Sequence, residues 1–275
     1  AAVLGDRDGR VLARRAFLTA EESGWQGAIA RLIAESRALL GGETPEAVGI
    51  SCGGPLDSEA GVILSPPNLP GWDHVPVAEI VSEALGAPAY LQNDANACAL
   101  AEWLYGAGRG ARNLIFLTFG TGLGAGLILD GRLYEGASGL AGEAGHIRLS
   151  PRGPVGYRKA GSFEGFCSGG GLSNLARMRL GEAVSAKELC ARADAGDEKA
   201  ARVLRESARR LGQGLAILVD LFNPDTIVIG SVFARSQRWF RPDMEKALAR
   251  EALPEALAVC KIVPAQLGDA LGDCA

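Results

Sequence analysis

The stretch Gly120-Thr121-Gly122-Leu123-Gly124-Ala125-Gly126 constrains this chain more than any other. Four glycines stand at alternate positions directly after the apolar run 114–118. A dinucleotide-binding fingerprint would require a helix to follow. Here Leu127-Ile128-Leu129 and an Asp130-Gly131 turn follow instead, so the segment reads as a strand–turn–strand bend. Glycines without a Cβ let backbone N–H groups approach a polyphosphate closely, and Thr121 adds a hydroxyl. A tight hairpin packed under a neighbouring helix would use the same glycines, and the segment alone leaves both readings open.

Around this bend the chain alternates short apolar runs with amphipathic ones. Runs at 48–52, 62–64 and 89–91 read as strands. Trp25, Ile29, Leu32, Ile33 and Leu40 fall at helical spacing before Gly41-Gly42, and 77–85 and 95–105 read as helices. A longer helix is expected over 197–222, with Val203, Leu204, Ala208, Leu211, Leu215 and Leu218 on one face and Pro224 beyond its end. Thr226-Ile227-Val228-Ile229 reads as a buried strand and Ile147-Arg148-Leu149 as a short one. Such alternation argues for a mixed or parallel sheet flanked by helices. Glycines concentrate and the periodicity changes near 106–112, which places a boundary between a lobe over 1–108 and a larger one over 109–275.

The composition supports two packed lobes and excludes several functions. Of 275 residues, 48% are hydrophobic and 22% charged, enough for large cores and too apolar for wholesale disorder. The formal net charge of −4 offers no basic excess for nucleic acid or an anionic membrane, and no apolar run approaches a bilayer-spanning length. Six dispersed cysteines without a C-x-x-C pair read as reduced core residues of a cytoplasmic protein. The chain opens on Ala1 at the arm of a hairpin turning at Asp8-Gly9 and closes on a Gly-rich stretch without a clear element, so it reads as a fragment.

Polar groups cluster in three further places. Asn93-Asp94 lies where a strand ends and a helix begins, the edge of an α/β sheet where ligands bind. Either residue could serve only as a helix N-cap. Asp94 could equally be a general base that takes the proton of an attacking hydroxyl. Glu143 and His146, three apart between glycines, could grip the hydroxyls of a sugar, or form a surface turn around a hydrogen-bonded histidine. The rigid loop Pro66-Pro67-Asn68-Leu69-Pro70-Gly71-Trp72 offers one amide and one indole.

Taken together, the chain resembles the ROK family of bacterial sugar kinases and sugar-responsive repressors. The matching stretches, in family order, are Ser51-Cys52-Gly53-Gly54-Pro55, Pro67–Trp72, Asn93-Asp94-Ala95-Asn96-Ala97, Gly120–Gly126, Gly142-Glu143-Ala144-Gly145-His146, Gly161-Ser162-Phe163-Glu164 and Asn223–Gly230. The resemblance implies an α/β, two-lobed, actin-like ATPase (ribonuclease H-like) fold with an interlobe cleft. It implies ATP-dependent phosphorylation of a monosaccharide hydroxyl, of a hexose or amino-hexose, with Asp94 as catalytic base. Gly54, Asn68, Asn93, Glu143, His146 and Glu164 would hold the sugar. Gly120, Thr121 and Gly122 would contact the ATP phosphates, with Mg²⁺ bridging them, and Gly230 would lie near the adenosine. A homodimer without nucleic-acid or membrane partners is expected. The alternative is a ROK-type repressor or a non-catalytic sugar-binding relative.

Two departures from the family pattern carry expectations of their own. The family's first phosphate loop, Asp-x-Gly-Gly-Thr after an initial strand, has no counterpart in this sequence, which should therefore bind ATP poorly as it stands. Val155, Tyr157 and Ser162 occupy the positions of three zinc-binding cysteines. With His146 the one remaining ligand, zinc is not expected, and the loop 150–163 must be ordered otherwise, by Tyr157 and Phe163 packing.

Overall fold

In the computed structural model, residues 1–18 and 24–275 are described. The chain divides into two compact units: residues 1–101 with 137–139 and 269–275, and residues 102–136 with 140–268.

The first unit begins with the antiparallel hairpin β1 (Ala2–Gly5) and β2 (Val11–Arg15), followed by helix α1 (Gly24–Leu40). Strand β3 (Val48–Cys52), the small hairpin β4 (Leu56–Asp57) and β5 (Val62–Ile63), helix α2 (Val77–Leu85) and strand β6 (Ala89–Asn93) come next. Val77 and Val81 of α2 pack with Ile29, Trp72 and Leu91, and α2 ends where Gly86 turns left-handed at φ 68° and its N–H donates to Ser82 O. Strands β3 and β6 run parallel, with Cys52 opposite Asn93. Their carboxyl ends therefore deliver residues 53–55 and 94 to one edge. Helix α3 (Asp94–Tyr105) starts there without any intervening loop.

The second unit is built on a five-stranded sheet. Its order is β13-β12-β7-β8-β9, from β7 (Leu114–Leu117), β8 (Ala125–Leu129), β9 (Arg132–Leu133), β12 (Thr226–Ile229) and β13 (Lys261–Pro264). Strands β13, β12 and β7 are parallel, whereas β7–β8 and β8–β9 are antiparallel. Every residue of β7 and β12 is buried, as expected of strands covered on both faces.

Between β9 and β12 the chain forms the hairpin β10 (Val155–Gly156) and β11 (Lys159–Ala160), then helices α4 (Phe163–Cys167), α5 (Gly169–Leu180), α6 (Ala186–Asp194) and α7 (Glu198–Phe222). After β12 come α8 (Ser231–Glu251), kinked at Ser236, and α9 (Pro254–Val259). The expected apolar face of α7 is buried, and Asp197 caps its first turn by accepting from the Lys199 and Ala200 amides. Glu102, fully buried, accepts from the backbone N–H groups of Ala107 at 2.7 Å, Gln266 at 3.1 Å and Leu267 at 2.8 Å. It thereby fastens the segment after β13 to the turn after α3.

Two local expectations are corrected. Residues 147–149 form a single bridge, Arg148 to Ser162, and not a strand. Their partner is the returning loop, to which Leu149 donates at Gly161 O and from which Ile147 accepts the Phe163 N–H. The terminal segment is structured: a 3₁₀ turn at Gly268–Ala270 leads into α10 (Leu271–Cys274), with Leu271 buried in spite of the flanking glycines. All six cysteines are free thiols, two of them buried. No helix among the described residues is long and apolar enough to cross a membrane.

Candidate functional site

In the first unit the candidate groups converge on the shared edge of β3 and β6. A Cβ built on Gly53 would lie 3.6 Å from Asn68 Nδ2 and 3.9 Å from Asp94 Oδ2, so these three residues face one another. A Cβ on Gly54 would lie 3.5 Å from Asn93 Nδ2. The helix-cap reading of Asn93 and Asp94 is realised in part. Asn93 Oδ1 and Asp94 Oδ1 both accept from the Ala95 N–H, at 2.9 Å and 2.8 Å. Asp94 Oδ2 remains on the side of Gly53 and Asn68. Asp94 is exposed as a residue, but partial desolvation of its carboxyl raises its pKa above the usual 3.8, against the Ala95 N–H bond, which lowers it. Cys52 lies against it, and burial followed by the Asp94 charge pushes its thiol up to about 11, so it stays neutral and unreactive.

In the second unit the glycine bend lies at the carboxyl end of β7, beside that of its parallel neighbour β12. Helix α8 starts just past Gly230, whose N–H donates to Leu117 O, and a Cβ on Gly120 would lie 3.6 Å from Ser231 Oγ. The bend is held from several directions. Leu123 N–H donates to Glu164 Oε2 at 3.1 Å, Gly124 N–H to Thr118 Oγ1 at 2.8 Å, and Gly169 N–H, at the start of α5, to Gly120 O at 2.7 Å. The Thr121 and Gly122 amides donate to no protein group among the described residues, and Thr121 is exposed. This fits a phosphate cradle: a rigid loop with amides left over, at the strand ends where an α/β sheet takes its ligands.

Glu164, next to the fully buried Phe163, touches the same bend. A Cβ on Gly122 would sit 2.8 Å from its Oε2. Glu143 precedes the 3₁₀ turn Ala144–His146 without a side-chain capping bond and is exposed, as is His146. Gly145 passes so close to Leu123 O and the Glu164 side chain that a Cβ there would collide with the Leu123 carbonyl. The structure thus brings Gly120, Thr121, Gly122, Glu143, His146, Glu164 and Gly230 together within one unit, and Gly54, Asn68, Asn93 and Asp94 within the other.

The loop 150–163 is ordered partly as expected. The Tyr157 ring lies 5.5 Å from the His146 ring, centroid to centroid. Ser162 is committed elsewhere, donating to Gly156 O at 3.0 Å and accepting from Gly165 N–H at 3.0 Å as the α4 cap. With an aliphatic Val155, a ring-packed Tyr157 and a Ser162 whose hydroxyl is already used, the residues around His146 do not fit a tetrahedral zinc site.

Sequence reasoning missed three participants. Ser168 caps α5, and the Gly169 and Gly170 amides clamp the bend; the run Ser168-Gly169-Gly170-Gly171 is a visible helix start that could have been read. Ser231 at the start of α8 follows the strand already identified. Lys159 had no local signal. Its ammonium meets His146 Nδ1 at 2.6 Å and donates to His146 O at 2.7 Å across 13 positions of sequence.

The model of the ROK family matches residues 1–273. The chain belongs to the ROK family. It is 29% identical to a glucokinase of Thermotoga maritima over 98% of this chain and 90% of that one. Among solved structures, a ROK family glucokinase from Streptomyces griseus in complex with glucose and AMPPNP is 31% identical. It covers 98% of this chain and 91% of its own, with a TM-score of 0.80. A ROK family transcriptional regulator, a homologue of the Escherichia coli Mlc protein, is 27% identical with a TM-score of 0.85, over 99% of this chain and 72% of that one. The fold of this ROK member is accordingly the α/β actin-like ATPase fold of those kinases.

Proposed function

We propose that this ROK protein is an ATP-dependent sugar kinase that phosphorylates a hydroxyl of a hexose or amino-hexose, with Asp94 as the general base. The observation that carries the reading is the Asp94 carboxylate. It is tied through one oxygen to the start of α3, turned through the other toward Asn68 and Gly53, and raised in pKa by its surroundings. A base so tuned takes a proton more readily near neutrality than an ordinary aspartate. The sugar hydroxyl oxygen bonds to the γ-phosphorus, the bond to the β-phosphate bridging oxygen breaks, ADP leaves, and the hydroxyl proton passes to Asp94.

Gly54, Asn68, Asn93, Glu143, His146 and Glu164 are the proposed sugar contacts. The Thr121 and Gly122 amides, which have no acceptor among the described residues, supply donors for phosphate oxygens, with Gly230 on the adenosine side. Mg²⁺ would travel with the nucleotide, coordinated mainly by phosphate oxygens and water. A homodimer, which rests on the family resemblance, is the proposed working assembly.

The test is a coupled assay of the full protein with glucose and other hexoses plus ATP. Release of ADP and sugar phosphate supports the reading. Sugar binding without turnover by any of them would favour the repressor-type reading that the similarity to the transcriptional regulator suggests.

A second expectation concerns the bend. In Gly122→Val the added atoms meet Glu164 Oε2 and fill the face toward the free amides. The KM for ATP should rise at least about tenfold, roughly 1.4 kcal/mol, with the fold retained by circular dichroism. An unchanged KM would remove Gly120–Gly122 from the phosphate site.

A further inference from the structure

The contact between Lys159 and His146 has a chemical consequence. An ammonium carries three donors and no acceptor. The imidazole nitrogen that faces it at 2.6 Å must therefore offer a lone pair, so Nδ1 is bare and the ring proton sits on Nε2. The second Lys159 bond, to His146 O at 2.7 Å, fixes the ammonium against the same residue's backbone. The Tyr157 ring packs against the imidazole, and the hairpin of β10 and β11 carries both Tyr157 and Lys159.

We infer that Lys159 is a positioning residue for sugar binding: its ammonium locks His146 in the Nε2–H tautomer and orients that N–H as a hydrogen-bond donor to a substrate oxygen. The inference rests on the reading of His146 as a sugar contact. Its chemical sense lies in the neighbours. Glu143 and Glu164 carry carboxylates, which only accept. A sugar hydroxyl held by acceptors alone leaves its own oxygen lone pairs unused. An N–H locked in place supplies the complementary donor, and the cation behind Nδ1 polarises the ring so that this donor is stronger. One side-chain cation thus does what a metal bound at Nδ1 would do, fixing the tautomer and the ring plane, at a place where the surrounding residues do not fit a metal.

The experiment uses two readouts on the full protein. The chain has only two histidines, His74 and His146, so ¹⁵N-histidine labelling gives two imidazoles, and a His74→Gln variant assigns them. In the unliganded wild type the His146 nitrogens are expected to show a bare Nδ1 and a protonated Nε2. Lys159→Met should convert this into a tautomer mixture, and Lys159→Arg, which keeps a cationic donor, should restore it at least in part. In the kinase assay with glucose, Lys159→Met should raise the sugar KM roughly tenfold while kcat changes by less than about threefold.

A wild-type His146 protonated at Nδ1, nitrogen shifts unmoved in Lys159→Met, an unchanged KM, or one equivalent of zinc bound at His146 would each overturn the inference. If the wild type phosphorylates no sugar, the kinase reading fails, and the labelling experiment still decides whether Lys159 sets the tautomer. Should Lys159→Met fail to fold, the wild-type spectrum and Lys159→Arg carry the decision.

Discussion

Asp94→Asn is expected to lower kcat by a factor on the order of 10²–10⁴, about 3–5 kcal/mol of transition-state stabilisation, while leaving sugar affinity within a few-fold. The amide keeps the shape and can still accept from the Ala95 N–H, so the start of α3 is preserved. It cannot take a proton. In the wild type, the acidic limb of kcat/KM should follow Asp94 and lie above 3.8, since partial desolvation of its carboxyl raises its pKa. The rate falls as pH drops through that value because the base becomes protonated.

The stability consequence has the opposite sense. A carboxyl whose folded-state pKa is raised favours folding most below its unfolded pKa, and that contribution declines as pH rises through the folded value. The Asn variant should therefore be at least as stable as wild type near neutral pH. A dead but stable protein marks a catalytic residue. Near-normal turnover in Asp94→Asn would refute the assignment, and a marked loss of Tm would make Asp94 a structural cap.

Glu102→Ala should produce the largest loss of stability, about 3 kcal/mol or more in urea unfolding. The buried carboxylate accepts three backbone N–H groups, from Ala107, Gln266 and Leu267, and its removal leaves all three without their acceptor. Glu102→Gln, with one acceptor oxygen in place of two, should fall between the two. A loss below about 1 kcal/mol in the Ala variant would show that water replaces these bonds at little cost. Kinetic constants measured below the unfolding transition should change less than the midpoint does, since Glu102 belongs to none of the candidate binding groups.

Much of this fold was legible in the residues because the signals were local. The apolar stripe of 197–222 matches α7 to within a residue, the pair of runs 48–52 and 89–91 matches β3 and β6, and the strand after the glycine bend excludes a Rossmann turn from the residues alone. Residues 147–149 failed as a strand because apolarity alone does not decide whether a run pairs with a strand or with a returning loop. Asp94 illustrates the limit on the site. Its position allowed both a cap and a base, and local sequence could not separate them, because Oδ1 accepts from the Ala95 N–H while Oδ2 stays available on the side of Gly53.

The sequence by itself determined the order of the elements, the glycine bend and the residue types able to hold a sugar and a phosphate, since period, turn chemistry and side-chain class are written position by position. Tertiary structure alone decided which of these groups face each other. Asp94 meets Gly53 and Asn68 only because distant segments of the chain fold to the same sheet edge. The rigidity of the bend depends on α5 and Glu164, and the partner of His146 depends on a hairpin that turns Lys159 back onto it. Desolvation and hydrogen-bond direction are properties of neighbours in space, and no local pattern of residues encodes them.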